Sequence, residues 1–184
     1  MIPVYVVTGL LGSGKTTLIN VELRERKKLG STEIISFETG NTEFIKSPLS
    51  IEPDDIEENL HHVVQQIQDY LSTTTPKEIW VEWNGMFSFQ QLERIFFNSI
   101  LKEFCHLERV IYTANSNSIT SMIQALGDRV VSQLYSADYI MLYANDTTQT
   151  KAVKKLLQSY NPECSILVNP TTKDIHNKLD RKST

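Results

Sequence analysis

The stretch Gly9-Leu10-Leu11-Gly12-Ser13-Gly14-Lys15-Thr16 decides the fold of this chain. It fits the pattern G-x-x-x-x-G-K-S/T at every fixed position, follows an apolar run at residues 4–7 and precedes a helical pattern, as a phosphate-binding loop (P-loop) does. Glycines let successive backbone N–H groups face one anion, and the following helix adds the positive end of its dipole. Lys15 supplies a positive charge for the outer phosphates, and the Thr16 hydroxyl can ligate magnesium. The stretch predicts a nucleoside-triphosphate site.

Short β-branched runs alternate with longer helical patterns on both sides of this loop. Strands are expected at residues 4–7, 33–37, 78–83, 109–113, 139–143 and 165–168, and helices at about 15–29, 54–71, 88–104, 119–135 and 150–160. Strands separated by helices of this length need crossover connections, so we expect an α/β fold with a mostly parallel sheet and helices on both faces. Residues 1–170 are predicted to form one P-loop domain. Residues 171–184 are expected to be a polar tail that either frays or once led into a further segment.

Composition narrows the class of protein. The length of 184 residues fits one domain of about 100–200 residues, and 40% hydrophobic residues are typical of a globular protein. The net charge of -4 argues against nucleic-acid binding as the main function. The N-terminal apolar run has no basic segment before it and ends at the glycine loop, so we expect neither a signal peptide nor a membrane span. Cys105 and Cys164 form no metal or redox spacing, which favours a cytoplasmic protein.

Residues 2–20 strongly resemble the opening of the CobW-like P-loop GTPases, whose relatives include the HypB and UreG nickel-insertion GTPases. Three later segments follow in matching order: Phe37-Glu38-Thr39-Gly40-Asn41, Val81-Glu82-Trp83-Asn84-Gly85-Met86 and Ser136-Ala137-Asp138-Tyr139-Ile140-Met141-Leu142. The likeness extends over most of the chain but includes only the family's nucleotide-binding domain. It implies a GTPase that uses Mg²⁺ and GTP, with ATP as a possible substitute.

The resemblance also implies roles for particular residues. Glu82, at the end of a strand, would hold magnesium through water, and the Gly85 N–H would reach the γ-phosphate. Glu38 is either a switch residue near the magnesium or the attacking water, or a solvated loop carboxylate. The implied catalytic residues are Lys15, Glu82 and Glu38, and the implied magnesium ligands are Thr16 and Glu82. The implied nucleotide-binding residues are Gly9, Gly12, Ser13, Gly14, Lys15, Thr16, Thr17, Gly85, Tyr143 and Asp146.

Two departures from the family pattern bear on function. The interval from Gly40 to Glu82 contains no cysteine, although the family usually has a Cys-x-Cys-Cys metal motif there. His61 and His62 are adjacent on a predicted helix, so their side chains point about 100° apart and do not easily chelate one ion. We therefore expect no tightly bound zinc.

The second departure concerns the nucleotide base. The sequence has Tyr143-Ala144-Asn145-Asp146 where these GTPases have Asn-Lys-x-Asp. Asp146 could still accept hydrogen bonds from the guanine N1 and N2 donors, and Tyr143 could stack on the base. Alternatively, Asn145 and Asp146 form only a helix-capping turn.

These observations favour a GTP-hydrolysing switch that reports its nucleotide state to a partner protein. The resemblance implies a partner in a metalloprotein or cobalamin-type pathway. One alternative is a regulatory module that holds nucleotide and hydrolyses it poorly. Another is a small-molecule kinase, although no arginine-rich lid segment is evident.

Overall fold

The computed structural model describes residues 1–26, 29–38, 40 and 42–179. Within these residues, strands form one sheet with the order β3-β2-β4-β1-β5-β6-β7, and every neighbouring pair is parallel. The strands are β1 (Ile2–Gly9), β2 (Thr32–Ser36), β3 (Leu49–Ser50), β4 (Glu78–Glu82), β5 (Cys105–Asn115), β6 (Tyr139–Tyr143) and β7 (Ser165–Val168). The predicted parallel α/β fold is confirmed.

Helices connect the strands. They are α1 (Lys15–Arg26), α2 (Pro53–Glu58), α3 (Leu60–Thr74), α4 (Phe89–Phe96), α5 (Ile119–Leu126), α6 (Asp128–Ser136), α7 (Thr147–Tyr160) and α8 (Thr172–Leu179), with short 3₁₀ turns at Leu29–Ser31 and Leu101–Glu103. None of the helices in the described ranges combines the length and the apolar character that a membrane span requires.

The core lies on both faces of the sheet because side chains alternate along each strand. Tyr5 and Val7 of β1 pack with apolar residues of α1 and α8. Val4 and Val6 point to the opposite face, where α2, α3 and α4 cover one half of the sheet. Helices α5, α6 and α7 cover the other half of that face. Both faces are buried, as a parallel sheet requires.

Local capping signals divide two of the predicted helices. The Asn59 side chain accepts a hydrogen bond from the His62 N–H and begins α3, so the helix predicted from Asp54 is two helices, of which the first begins at Pro53. Gly127 has a positive φ of 51° and separates α5 from α6 within the predicted helix 119–135. In both places the local cap outweighs the continuous apolar periodicity.

Other boundaries also differ from the prediction. The helix predicted over residues 88–104 ends at Phe96, and β5 is longer than expected because it starts at Cys105. The interval between the predicted strand at 33–37 and the predicted helix at 54–71, where no strand was expected, contains the short strand β3 at the edge of the sheet. Helix α1 ends at Arg26, and Lys27 and Lys28 of the predicted helix lie outside the described residues.

The expectation that residues 171–184 fray is wrong for α8, and residues 180–184 of that predicted tail lie outside the described residues. Ile175 and Leu179 are four residues apart, so they lie on one side of the helix, and both are buried in the same core as α1. The Asp174 carboxylate accepts hydrogen bonds from the Thr171 N–H and hydroxyl at the start of the helix. Two well-placed apolar residues therefore suffice to dock a segment that is otherwise polar.

Removing one of these apolar contacts should destabilise the domain. Replacement of a buried Ile by Ala costs about 2–5 kcal/mol in cores, so Ile175→Ala should lower the free energy of unfolding by about 2 kcal/mol or more. Asn177→Ala, on the exposed side of α8, is the matched control and should change stability little. Urea unfolding of the two variants measures the difference, and equal stabilities would show that α8 is not docked in solution.

Candidate functional site

The P-loop lies at the carboxyl edge of the sheet, between β1 and α1. Gly9 has a φ of 136°, and a Cβ atom at this position would lie 2.3 Å from the Thr113 carbonyl oxygen of β5. A Cβ at Gly85 would lie 2.4 Å from the Gly9 carbonyl oxygen. Glycine is therefore required at both positions by the close approach of three backbone segments. Gly12 and Gly14, also predicted to bind nucleotide, have positive φ values of 74° and 95°.

The P-loop is fixed to its neighbour β5 by a serine. The Ser13 and Thr113 hydroxyl oxygens are 2.6 Å apart, and Thr113 Oγ1 donates to the Thr8 carbonyl oxygen over 3.2 Å. The Ser13 N–H donates to the Leu10 carbonyl oxygen within the loop. The Ser13 side chain thus holds the loop in shape, which leaves backbone groups for the nucleotide phosphates.

Lys15 is almost completely buried, with 3% of its surface exposed. Its ammonium nitrogen donates to the carbonyl oxygens of Gly9 (2.8 Å) and Leu10 (3.0 Å) and lies 2.8 Å from Glu38 Oε2. These three acceptors match the three donors of an ammonium group. Glu38 is therefore the ion-pair partner of Lys15, a contact that the sequence did not predict.

The Glu38 carboxylate is itself largely buried. Burial raises the pKa of this carboxyl above its ordinary value, and the nearby charge of Glu82 raises it further. The positive charge of Lys15 and its hydrogen bond oppose this rise without cancelling it. The carboxylate at the mouth of the phosphate site thus depends on Lys15 for its charge compensation.

Glu82 lies beside this pair at the end of β4. Thr16 Oγ1 donates to Glu82 Oε1 over 2.5 Å, and Ser36 Oγ donates to Glu82 Oε2 over 2.8 Å. The geometry brings together Thr16 and Glu82, the two residues predicted to ligate magnesium. Hydroxyl and carboxylate oxygens are the ligands that Mg²⁺ prefers, so these residues fit the ion.

The segment that follows Glu38 is anchored again a few residues later. The Asn20 side chain of α1 donates to the Glu43 carbonyl oxygen and accepts from the Ile45 N–H, both over 2.9 Å. Lys46 Nζ donates to the Thr32 carbonyl oxygen over 2.7 Å and lies 2.6 Å from Glu33 Oε1. Thr39 and Asn41 of the predicted motif lie outside the described residues. Residues 37–46 are called the first switch segment below, after the role that is proposed for them.

A second segment, residues 82–87, contacts the P-loop through Gly85. It is called the second switch segment below. The buried Gln133 of α6 donates from Nε2 to the carbonyl oxygens of Gly85 (3.1 Å) and Phe87 (2.5 Å). Its Oε1 accepts a hydrogen bond from the Thr8 hydroxyl of β1. Trp83 packs edge-on against Phe37, with ring centroids 4.9 Å apart, so the two switch segments are in direct contact.

Of the two residues predicted to contact the base, Tyr143 lies beside the P-loop and Asp146 lies at the start of α7. The Tyr143 ring is 3.8 Å from a Cβ placed on Gly14. Residues 143–146 are called the base loop below, after the contact that is predicted for them. Asp146 is exposed, and its Oδ1 accepts hydrogen bonds from the Thr148 and Gln149 N–H groups at the start of α7. The capping alternative is thus present in the structure, and base recognition by Asp146 stays a prediction.

A cavity of about 420 Å³ joins the P-loop to the first switch segment, and its lining includes Thr17, Glu38 and Thr42. Glu38 also lines a neighbouring cavity of about 500 Å³, together with Glu43, Glu52 and Glu82. Among the described residues no group of three or more His, Cys, Asp or Glu side chains is arranged to hold a metal ion.

Sequence reasoning missed four residues that shape the site: Ser36, Asn20, Gln133 and Glu38 as the partner of Lys15. Gln133 had a usable signal, since it is a polar residue on the buried side of α6 between Val130 and Leu134. Ser36 is a polar residue at the end of a buried strand. The partners of Asn20 and Glu38 are distant in sequence and only the fold brings them close.

Comparison with known proteins identifies the family. The model of the CobW/HypB/UreG nucleotide-binding domain matches residues 3–168, so the chain belongs to this family of P-loop GTPase domains and the predicted resemblance is confirmed. No curated protein matches the chain.

Solved structures share the fold at low sequence identity. The Zn(II)-bound YjiA GTPase from E. coli superposes with a TM-score of 0.66 at 18% identity, over 90% of this chain and 57% of that one. The hydrogenase maturation factor HypB from Archaeoglobus fulgidus gives a TM-score of 0.55 at 12% identity, over 97% and 87% of the two chains. The GDP complex of the signal recognition particle receptor FtsY from Elizabethkingia anophelis gives 0.51 at 13% identity, over 100% and 65%. The chain thus spans little more than half of YjiA.

The position of Glu38 yields a prediction about nucleotide affinity. Phosphate oxygens and the Glu38 carboxylate compete for Lys15, so Glu38→Gln should raise the affinity for Mg-GTP by about ten-fold, the equivalent of one weakened charged hydrogen bond. Glu43→Gln removes the same charge from an exposed position in the same segment and serves as the control. Calorimetric titration measures both variants. Equal affinities in the wild type and Glu38→Gln would contradict the competition.

Proposed function

We propose that this domain binds GTP with Mg²⁺, hydrolyses the γ-phosphate and reports its nucleotide state to a partner protein through the two switch segments. The observation that carries the proposal is the position of Lys15, held among two P-loop carbonyls and Glu38. These contacts support the proposal because the charge that would bind phosphate also touches the first switch segment.

Phosphate binding requires an exchange at Lys15. The backbone N–H groups of the P-loop and the N-terminus of α1 attract the triphosphate. Lys15 then exchanges the Glu38 carboxylate for phosphate oxygens, and Glu38 with its backbone is released. Binding energy from the triphosphate thereby changes the first switch segment, which is the requirement for a nucleotide-dependent signal.

The hydroxyl of Thr16 and the carboxylate of Glu82, directly or through water, are the groups that would hold magnesium. When bound, the ion neutralises charge on the β- and γ-phosphates. Ser36 orients Glu82 for this task because its hydroxyl donates to Oε2 and leaves the Oε1 side toward Thr16.

Hydrolysis is an in-line attack of water on the γ-phosphorus, with cleavage of its bond to the bridging oxygen and release of GDP and phosphate. Lys15, the P-loop amides and the Gly85 N–H stabilise the charge that develops on the phosphate oxygens. Glu38, once separated from Lys15, is free to accept a hydrogen bond from the attacking water. Catalysis then rests on positioning and electrostatics.

The identity of the partner rests on the family. One fold neighbour is a hydrogenase maturation factor and another is a Zn(II)-bound GTPase, which supports a partner in metalloprotein or cofactor assembly. We take this partner to be cytoplasmic, as the proposed function implies. The absence of cysteine between Gly40 and Glu82 favours a role in which this domain supplies the switch and does not carry the metal.

A second candidate is a regulatory module that holds nucleotide with little turnover. It is favoured by the base loop, which keeps only the aspartate of the guanine motif. Release of phosphate from GTP in the presence and absence of magnesium separates the two candidates. Single-turnover hydrolysis by the isolated domain supports the GTPase, and nucleotide that stays intact on the protein supports the module.

The Lys15 charge should be essential for binding. Lys15→Ala should weaken the affinity for Mg-GTP by about 100-fold, because the phosphates lose a charged, desolvated partner. The variant also leaves the Glu38 carboxylate without compensation, so the double variant Lys15→Ala/Glu38→Gln is needed to separate affinity from stability. Lys151→Ala, on the exposed side of α7, is the control. Undiminished GTP affinity in a folded double variant would refute the proposed site.

Base choice can be tested separately from helix capping. A single carboxylate contact to guanine is worth about 1.5–3 kcal/mol, which predicts a roughly ten- to a hundred-fold preference for GTP over ATP. Asp146→Ala should abolish this preference and also lose the α7 cap. Asp146→Asn keeps a good capping residue and should lower the preference while leaving the unfolding midpoint nearly unchanged. Competition titrations with both nucleotides measure the preference for GTP over ATP in each protein. A wild-type preference for ATP would show that the base binds elsewhere.

A further inference from the structure

The base loop is clamped by a residue that lies 25 positions away along the chain. Asn169 is the first residue after β7, and its Oδ1 accepts a hydrogen bond from the Ala144 N–H over 2.8 Å. Its Nδ2 donates to the Ala144 carbonyl oxygen over 2.7 Å. One side-chain amide thus satisfies both backbone groups of one residue of the base loop.

This clamp continues the pairing of two strands. The last residue pair of β6 and β7 is Leu142 with Val168, and the Asn169 N–H donates to the Leu142 carbonyl oxygen over 2.9 Å. The side chain then makes the next two hydrogen bonds, where the backbone of the base loop has left the sheet. Asn169 has a φ of 43°, a left-handed conformation that asparagine and glycine adopt more readily than other residues.

The clamped residue is placed where it affects base recognition. Ala144 lies between Tyr143, whose ring approaches Gly14 of the P-loop, and the exposed Asp146. Asp146 uses Oδ1 to cap α7, and its Oδ2 makes no hydrogen bond within the described part of the chain. The position of this oxygen relative to the P-loop depends on the backbone at Ala144, which Asn169 fixes from one side.

A second contact fixes the same loop from β5. The Ser116 N–H donates to the Tyr143 carbonyl oxygen over 2.9 Å, and Gln149 Nε2 donates to the Ser116 carbonyl oxygen over 3.2 Å. The base loop is thus held between the ends of β5 and β7. Of these two supports, only Asn169 acts through a side chain on Ala144, which stands where the family motif has lysine.

We propose that Asn169 is a positioning residue for base selection: by clamping the peptide groups of Ala144, it holds Asp146 and Tyr143 where they meet a guanine base attached to phosphates in the P-loop. The proposal rests on the proposed GTP-binding function. Asn169 itself does not contact the base, because both polar atoms of its side chain are committed to Ala144. Its effect is therefore on discrimination between bases and not on phosphate binding.

Two substitutions separate this role from a structural one. Asn169→Gly keeps the left-handed backbone accessible and removes both side-chain hydrogen bonds. Asn169→Asp keeps the size and the acceptor for the Ala144 N–H, but it places a carboxylate oxygen against the Ala144 carbonyl oxygen. Asn177→Ala, an exposed asparagine on α8, controls for the loss of an amide near the same edge of the sheet.

The measurement is calorimetric titration with Mg-GTP, Mg-ATP and magnesium tripolyphosphate, which has no base. In both Asn169 variants the ratio of GTP affinity to ATP affinity should fall by about five- to thirty-fold, the range expected for the loss of one or two hydrogen bonds. Tripolyphosphate affinity should stay within about two-fold of the wild type, and Asn177→Ala should leave all three affinities unchanged.

The outcomes distinguish the proposal from the function on which it rests. A wild-type protein that binds tripolyphosphate and GTP but shows an unchanged GTP-to-ATP ratio in both Asn169 variants overturns the positioning role alone. An equal loss for all three ligands also overturns it, since Asn169 would then support only the fold. A wild-type protein that binds neither GTP nor tripolyphosphate overturns the proposed function itself.

Discussion

The parallel pairing of β1 with its two neighbours is the constraint on which the site depends. The register places Val7 beside Glu82 of β4 and Gly9 beside Thr113 of β5. Since parallel strands end at the same edge of a sheet, three functional segments meet there without any further device. The glycines at positions 9 and 85 then allow backbone contacts that any side chain would prevent. A shift of one residue in the β1–β4 pairing would move Glu82 away from the P-loop, and the same shift in the β1–β5 pairing would move Thr113 away from Gly9.

Local sequence patterns predict some residues of the site and fold but not others. The P-loop and Glu82 could be predicted because each belongs to a short motif at the end of an apolar strand. Helix α8 could not, because its two buried apolar residues stand in a polar segment and only the surface of α1 and the sheet gives them a partner. Asn169 and Gln133 bind backbone groups far away in sequence, and no local pattern specifies such a contact.

Charge compensation links Lys15 of the P-loop to Glu38 of the first switch segment. Lys15 and Glu38 are both buried, and removing either partner leaves an uncompensated charge, which is costly in a protein interior. In the proposed mechanism a triphosphate replaces Glu38 at Lys15, and the released carboxylate then moves toward solvent or another cation. The proposed conformational response would thus originate in the electrostatics of one pair of residues, between the hydrogen bonds that Asn20 makes to one switch segment and those that Gln133 makes to the other.

The aromatic contact between the switch segments includes a tryptophan, which can be used as a spectroscopic probe. Trp83 is buried between Phe37 and Phe87, and its indole nitrogen finds no acceptor among the described residues. Trp80 lies on the opposite face of β4, stacked on Tyr5 in the core that α1 covers. The two tryptophans therefore lie in different surroundings. Trp83 belongs to the second switch segment and contacts the first, whereas Trp80 lies in a separate core cluster. Intrinsic tryptophan emission is therefore a means of following the proposed movement of the switch segments without an attached dye.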